Sequence, residues 1–146
     1  MKALLQRVKQ ASVKIDDKLY SSVNYGLLVF LGVEKSDVKI NAEKLAEKIL
    51  KLRIFEDENE KMNLSVCDIQ GEILVVSQFT LCGDCRKGTR PSFDNSAPLD
   101  KANDLYEYFV DCLKNTCDLN VQTGMFRADM DVELINDGPV TFMIEK

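Results

Sequence analysis

The chain has 146 residues, 45% of them hydrophobic, a formal net charge of −5 and no histidine. That length fits one domain spanning 1–146 with apolar residues enough for a core, and the negative balance argues against a protein that coats nucleic acid by neutralising many phosphates. The missing histidine excludes a Ser-His-Asp triad, a Cys-His pair, a histidine general base and a histidine-ligated metal at once.

No apolar run reaches the roughly 18 residues needed to cross a bilayer, and MKALLQRVKQ breaks into charge before a signal sequence could form, so a soluble, cytoplasmic protein is expected. Residues 3–8 (ALLQRV) and 12–16 (SVKID) read as two strands, and 26–33 (GLLVFLGV) as a fully buried one. Ser36 or Asp37 then caps a helix whose apolar stripe is Ile40, Leu45, Ile49 and Leu52, with Glu43, Lys44, Glu47, Lys48 and Lys51 on the wet face. Residues 72–80 (EILVVSQFT) form a second apolar strand, ending in a polar cluster and a loop from Gly83 to Gly88. From Pro98 to Lys114, Ala102, Leu105, Tyr106, Phe109 and Leu113 recur at helical spacing, which makes the tyrosines core and rim rather than catalysts. DVELIN (131–136) and VTFMIE (140–145) read as two strands separated by Asp137-Gly138-Pro139. The order predicts an α/β fold: a mixed, largely antiparallel, barrel-like sheet with two amphipathic helices packed on it. No GxGxxG or Walker pattern follows either apolar strand, so a nucleotide cofactor has no support.

Several stretches carry candidate chemistry. The five cysteines, an odd number, read as free thiols in a reducing compartment. Cys82-Gly83-Asp84-Cys85 is a C-x-x-C that would need Cys112 and Cys117 to complete a zinc site, although Cys112 falls inside a predicted helix. Cys85-Arg86-Lys87-Gly88-Thr89-Arg90 places three cations within five residues; solvated surface is the commoner reading of such a loop, RNA contact the rarer. Ser77-Gln78-Phe79-Thr80-Leu81, taken alone, is a strand end with local hydrogen bonds around a buried-type aromatic, because a hydroxyl without a neighbouring base is a poor nucleophile. Asn136-Asp137-Gly138-Pro139-Val140-Thr141 contains two turn signals and reads as a hairpin break. A Gly-Pro bond is also a place where a cis peptide would aim main-chain groups in directions a trans turn cannot reach.

SQFTL and NDGPVT occur in one chain, 59 residues apart, with LLQRV before them and QTGMFRADM between. Together with GLLVFLGVEK, KMNLSV, EILVVSQFTL and RPSF they closely resemble the D-aminoacyl-tRNA deacylases, also called D-tyrosyl-tRNA deacylases, over essentially the whole chain. The resemblance implies hydrolysis of the ester between a D-amino acid, or misplaced glycine, and the terminal adenosine of tRNA, with water positioned by the ribose 2′-hydroxyl and no cofactor or metal. It implies a homodimer in which a Gly138-cis-Pro139 pair enters the partner's active site and rejects L-amino acids; neither DNA nor membrane is an expected partner. By the same resemblance Ser77, Gln78, Phe79 and Thr80 form the catalytic pocket, and Gly138 and Pro139 the chiral filter, supported by Thr141 and held by Arg7. Phe126 and Met130 enclose the terminal adenosine. Cys82 and Cys85 depart from the small or polar residues expected there. The rival readings are a non-catalytic RNA-end binding module and a thiol or zinc regulatory protein.

Overall fold

In the computed structural model, which describes residues 1–146, one long strand organises the sheet. β1 (Lys2–Ile15) alternates buried and half-buried residues and pairs on one side with β2 (Lys18–Val23) and β3 (Gly26–Gly32), both antiparallel. Along its other side runs the 15-residue β8 (Asp131–Glu145), also antiparallel. The two N-terminal strands expected from sequence are therefore one. A bulge at Lys9, opposite the Asn136–Ile135 step of β8, lets it bend. The bulge also changes which core the strand feeds: Ala3 and Leu5 enter the large core, Val8, Ala11 and Val13 a smaller one.

β3 pairs in parallel with β6 (Glu72–Ser77), and β6 in parallel with β7 (Val121–Thr123). Parallel neighbours need crossovers. These carry the helices α1 (Lys39–Lys51), between β3 and β6, and α2 (Leu99–Thr116), between β6 and β7. A small β4–β5 hairpin (Phe55–Glu56, Met62–Leu64) lies in the first crossover. Both helices cover one face. Leu45, Ile49, Phe109 and Leu113 are each fully buried there, worth roughly 1.5–3 kcal/mol apiece. The continuous apolar runs of β3 and β6 follow from burial on both faces: Leu27, Val29, Ile73 and Val75 face the helices, Leu28, Leu74 and Val76 the second core. Ser21 Oγ of β2 donates to Thr123 O of β7 at 2.8 Å, drawing the two ends of the sheet together into a nearly closed form.

Several local expectations give way to tertiary contacts. α1 begins after Val38, not at Ser36 or Asp37, because the Asp37 carboxylate is occupied by the Met1 amino group at 2.5 Å and the Glu34 N–H at 2.7 Å. Ile40 is 48% exposed, so the buried stripe is Ala42, Leu45, Ala46, Ile49 and Leu50. Leu52 caps the helix instead of extending the stripe. The strand expected over 72–80 stops at Ser77. The tail is not a hairpin: β8 pairs with β1 before and after Asp137–Val140, and those four residues bulge out opposite Arg7. The Gly138–Pro139 peptide within the bulge is cis.

Candidate active site

The C-terminal end of β6 opens into a 3-10 turn, Phe79–Cys82. Gln78 N–H still donates to Leu31 O on β3 at 2.7 Å, and the chain then turns over Gly32. That glycine is required by close approach, since a Cβ on it would lie 3.0 Å from Cys82 Sγ and 3.1 Å from Leu81 Cβ. The first bond of the turn runs from Leu81 N–H to Gln78 O, which leaves the Phe79 and Thr80 N–H groups without a main-chain acceptor. Gln78 Nε2 donates to the Thr80 hydroxyl. No histidine, and no other base among the hydrogen-bonded partners, stands beside that hydroxyl.

Beside the turn is a cavity of about 420 Å³. Ser77, Gln78 and Phe79 form part of its wall, with Phe126 and Met130 from the segment after β7. Gly124 makes room for Met130, whose Sδ would meet a Cβ at that glycine at 2.7 Å. Phe79 is 58% exposed, contrary to its reading as a buried aromatic; its ring instead pairs with Phe93, centroids 5.0 Å apart. Thr80 is exposed and does not line the cavity. Sequence reasoning missed Ser96, Arg127 and Asp129, which do. Arg127 sits in the left-handed region at φ 66°, and the Ser96 hydroxyl is buried without a hydrogen-bond partner. Nothing in the pattern around Ser96 signals either fact.

The remaining residues singled out from sequence form a second surface. Arg7 is 4% exposed beneath the bulge. Its Nη1 donates to Ile54 O at 2.8 Å and its Nε to Asp137 O at 3.1 Å, while the Asp137 carboxylate lies 2.9 Å from the same Nε. Asn136 Nδ2 donates to Arg7 O and to Val140 O, both at 3.1 Å, closing the neck of the bulge. Val140 is buried in the large core as its anchor. Gly138, Pro139 and Thr141 are exposed, Thr141 accepting a bond from Gln6 Nε2 at 3.2 Å. None of Arg7, Gly138, Pro139 or Thr141 lines the cavity, so within one chain the two sets stand apart.

The cysteines do not converge. Cys82 is buried and donates to Val33 O at 3.5 Å, Cys85 is exposed, and Cys117 donates to Leu113 O at 3.9 Å within its own helix end. No group of three or more cysteine or carboxylate side chains is placed to hold a metal ion, so the zinc reading of the C-x-x-C lacks its ligand geometry.

Two free main-chain donors at a strand end, over an aromatic-lined cavity and without a histidine, define a site that can hold a carbonyl oxygen as it gains negative charge. This is the equipment of an acyl-ester hydrolase. The chain belongs to the D-Tyr-tRNA(Tyr) deacylase family, whose model matches residues 4–145. It is 58% identical over 145 residues to a D-aminoacyl-tRNA deacylase of Geotalea daltonii, covering 99% of this chain and 96% of that one. It is 57% identical to one from Thermosipho africanus, covering 99% and 97%. Among solved structures it superposes on a c-Myc DNA unwinding element binding protein with TM-score 0.95 at 42% identity, covering 100% and 99% of the two chains. A probable eukaryotic D-amino acid tRNA deacylase shares the fold, with TM-score 0.84 at 17% identity over 99% and 98%. No helix is long and apolar enough to cross a membrane.

Proposed function

We propose that the chain is a D-aminoacyl-tRNA deacylase that hydrolyses the ester between a D-amino acid, or glycine mischarged on alanine tRNA, and the 3′-terminal adenosine. The observation that carries this reading is the pair of N–H groups without a main-chain acceptor, that of Phe79 on the cavity wall and that of Thr80 next to it in the turn, in a chain of this family. The terminal adenosine stacks against Phe126, beside Met130. Water attacks the ester carbonyl carbon, its electron pair moves onto the carbonyl oxygen, and the two N–H groups stabilise the oxyanion. Collapse expels the ribose oxygen, which takes up a proton. The neighbouring ribose 2′-hydroxyl positions the water, since the Thr80 hydroxyl has no base beside it. Ser77 and Gln78 shape the turn, and the Thr80 hydroxyl supports Gln78 rather than attacking.

The filter comes from a second copy. The Asp137–Val140 bulge is exposed at Gly138 and Pro139, yet it is braced from within by Arg7 and Asn136, as a rigid wall for an external ligand must be. It lies on the edge strand β8, which pairs with β1 alone and exposes Ile135, Phe142 and Met143, an edge suited to covering by another subunit. In the dimer the bulge enters the partner's cavity mouth and collides with an L side chain, while a D side chain or glycine passes. Thr141 supports the wall from its C-terminal side. The protein works in the cytoplasm, without a cofactor.

The experiment is release of labelled tyrosine from D-tyrosyl-tRNA and L-tyrosyl-tRNA in parallel, with catalytic amounts of protein. Rapid turnover of the D-ester alone is expected. Binding of both without turnover of either would make this an RNA-end binding module and the SQFTL turn a structural strand end.

A further inference from the structure

The loop that follows the 3-10 turn carries cations that the chain itself does not use. Asp84 N–H donates to Ser92 O at 2.8 Å and Ser92 N–H to Asp84 O at 3.0 Å, closing residues 85–91 into a loop. Its base is fastened to the candidate site at two points. Gly83 N–H donates to Thr80 O at 3.0 Å, and Phe93 pairs with Phe79 on the cavity wall. Gly83 must be small there, because a Cβ would lie 2.9 Å from the Phe93 ring. The loop is thus registered to the cavity although residues 85–91 are all exposed.

Residues 85–91 include Arg86, Lys87 and Arg90 and no acid. Arg86 folds back on Asp84, with Nη2 at 2.5 Å, and its hydrogen bonds hold that carboxyl well below the usual carboxylate range. Lys87 and Arg90 have no ion-pair partner, and neither does Arg127 on the cavity lining. Arg90 is three residues from Phe93, so its Cα lies within about 11 Å of the aromatic that touches the cavity wall. In a chain of net charge −5, unpaired cations held beside a cleft create a local field attractive to a polyanion that the rest of the surface repels.

We propose that this loop is the RNA-backbone contact of the protein. Lys87 and Arg90, with Arg127 at the rim, hold phosphates of the single-stranded 3′ end whose terminal aminoacyl-adenosine occupies the cavity. The assignment rests on the substrate reading above. It requires the loop to act on substrates that carry those phosphates and to be silent on one that lacks them.

The test compares K87A/R90A with wild type on D-tyrosyl-tRNA and on the D-tyrosyl ester of adenosine. On the tRNA, KM is expected to rise about tenfold with kcat nearly unchanged, and the slope of log KM against log salt to fall by about 1.4, two phosphate contacts at about 0.7 each. Kinetics on the adenosine ester are expected to stay at wild-type values. Equal losses on both substrates, or an unchanged KM and salt slope on the tRNA, overturn the proposal. Anisotropy of a fluorescent single-stranded RNA ending in CCA reads the same contact without turnover. If wild type hydrolyses neither ester, the functional reading fails, and the loop assignment is decided by whether K87A/R90A weakens that binding.

Discussion

Gly138→Ala tests what holds the bulge in shape. Gly138 is not in the left-handed region, where Gly88 is the one glycine found, so space and not backbone conformation dictates the residue. An added Cβ would overlap Asn136 Oδ1. That side chain cannot turn away freely, because its Nδ2 bonds to Arg7 O and Val140 O span the neck of the bulge. Giving up both bonds costs about 1–3 kcal/mol, at roughly 0.5–1.5 each. Asn136→Ala loses the same bonds but clears the space. Adding Gly138→Ala to it should therefore cost close to nothing, or return up to about 1 kcal/mol through the reduced freedom of the unfolded chain. The double-mutant cycle is expected to show a coupling energy of about 1–3 kcal/mol. Urea unfolding of the four proteins at one protein concentration measures it, and deacylation of the L-ester shows whether the wall has moved. Equal destabilisation by Gly138→Ala in both backgrounds would refute the reasoning.

Arg7→Met removes the charge from a buried site that braces Asp137 and Ile54; the expected loss is about 3–5 kcal/mol in urea unfolding, with weaker rejection of L-tyrosyl-tRNA. A loss below about 1 kcal/mol would mean that the fork is not a brace. Thr80→Ala is expected to keep most of the turnover of the D-ester, because the N–H groups persist when the hydroxyl is removed; complete loss in a folded protein would instead favour a nucleophilic hydroxyl. The thiols should label in order of exposure and ionisation. Burial pushes Cys82 up, and burial with the Cys67 contact pushes Cys117 up to about 12, so at pH 8 both stay protonated while exposed Cys85 reacts with iodoacetamide. Mass spectrometry showing Cys82 modified as early as Cys85 would contradict this.

Elements whose burial is nearly complete were legible in the sequence. The run Gly26–Val33 and the stripe of α2 left few alternatives, because both lie against the large core. β2 and the 3-10 turn were not. KLYSSV owes its strand state to pairing with β1 and to the Ser21–Thr123 bond, and the turn to the absence of a Cβ on Gly32, none of which is local in sequence. The tail fails more informatively. By local rules Asp-Gly-Pro ends a strand and starts a hairpin, and the misreading comes from applying those rules without the partner strand. Arg7, 130 residues away, supplies the bonds that let β8 continue on either side of the interruption.

The same logic explains why the site was legible as motifs and not as a place. SQFTL encodes a strand end and a turn, both short-range, so its chemistry can be read from its residues. By residue type Phe79 reads as an interior aromatic, whereas its partner Phe93 stands outside the core with it. NDGPVT encodes a bulge whose shape is fixed from within but whose exposed tip has nothing to meet in its own chain. On the proposed function, the bulge is a wall whose ligand arrives from outside its own chain. On that proposal, a second copy of the chain brings the bulge to the cavity. That makes dimer dissociation the decisive perturbation: on the present reading a monomeric variant broken at Ile135, Phe142 and Met143 would keep a folded cavity and lose its choice between D- and L-esters. A monomer that still rejected the L-ester would place the filter in the cavity itself.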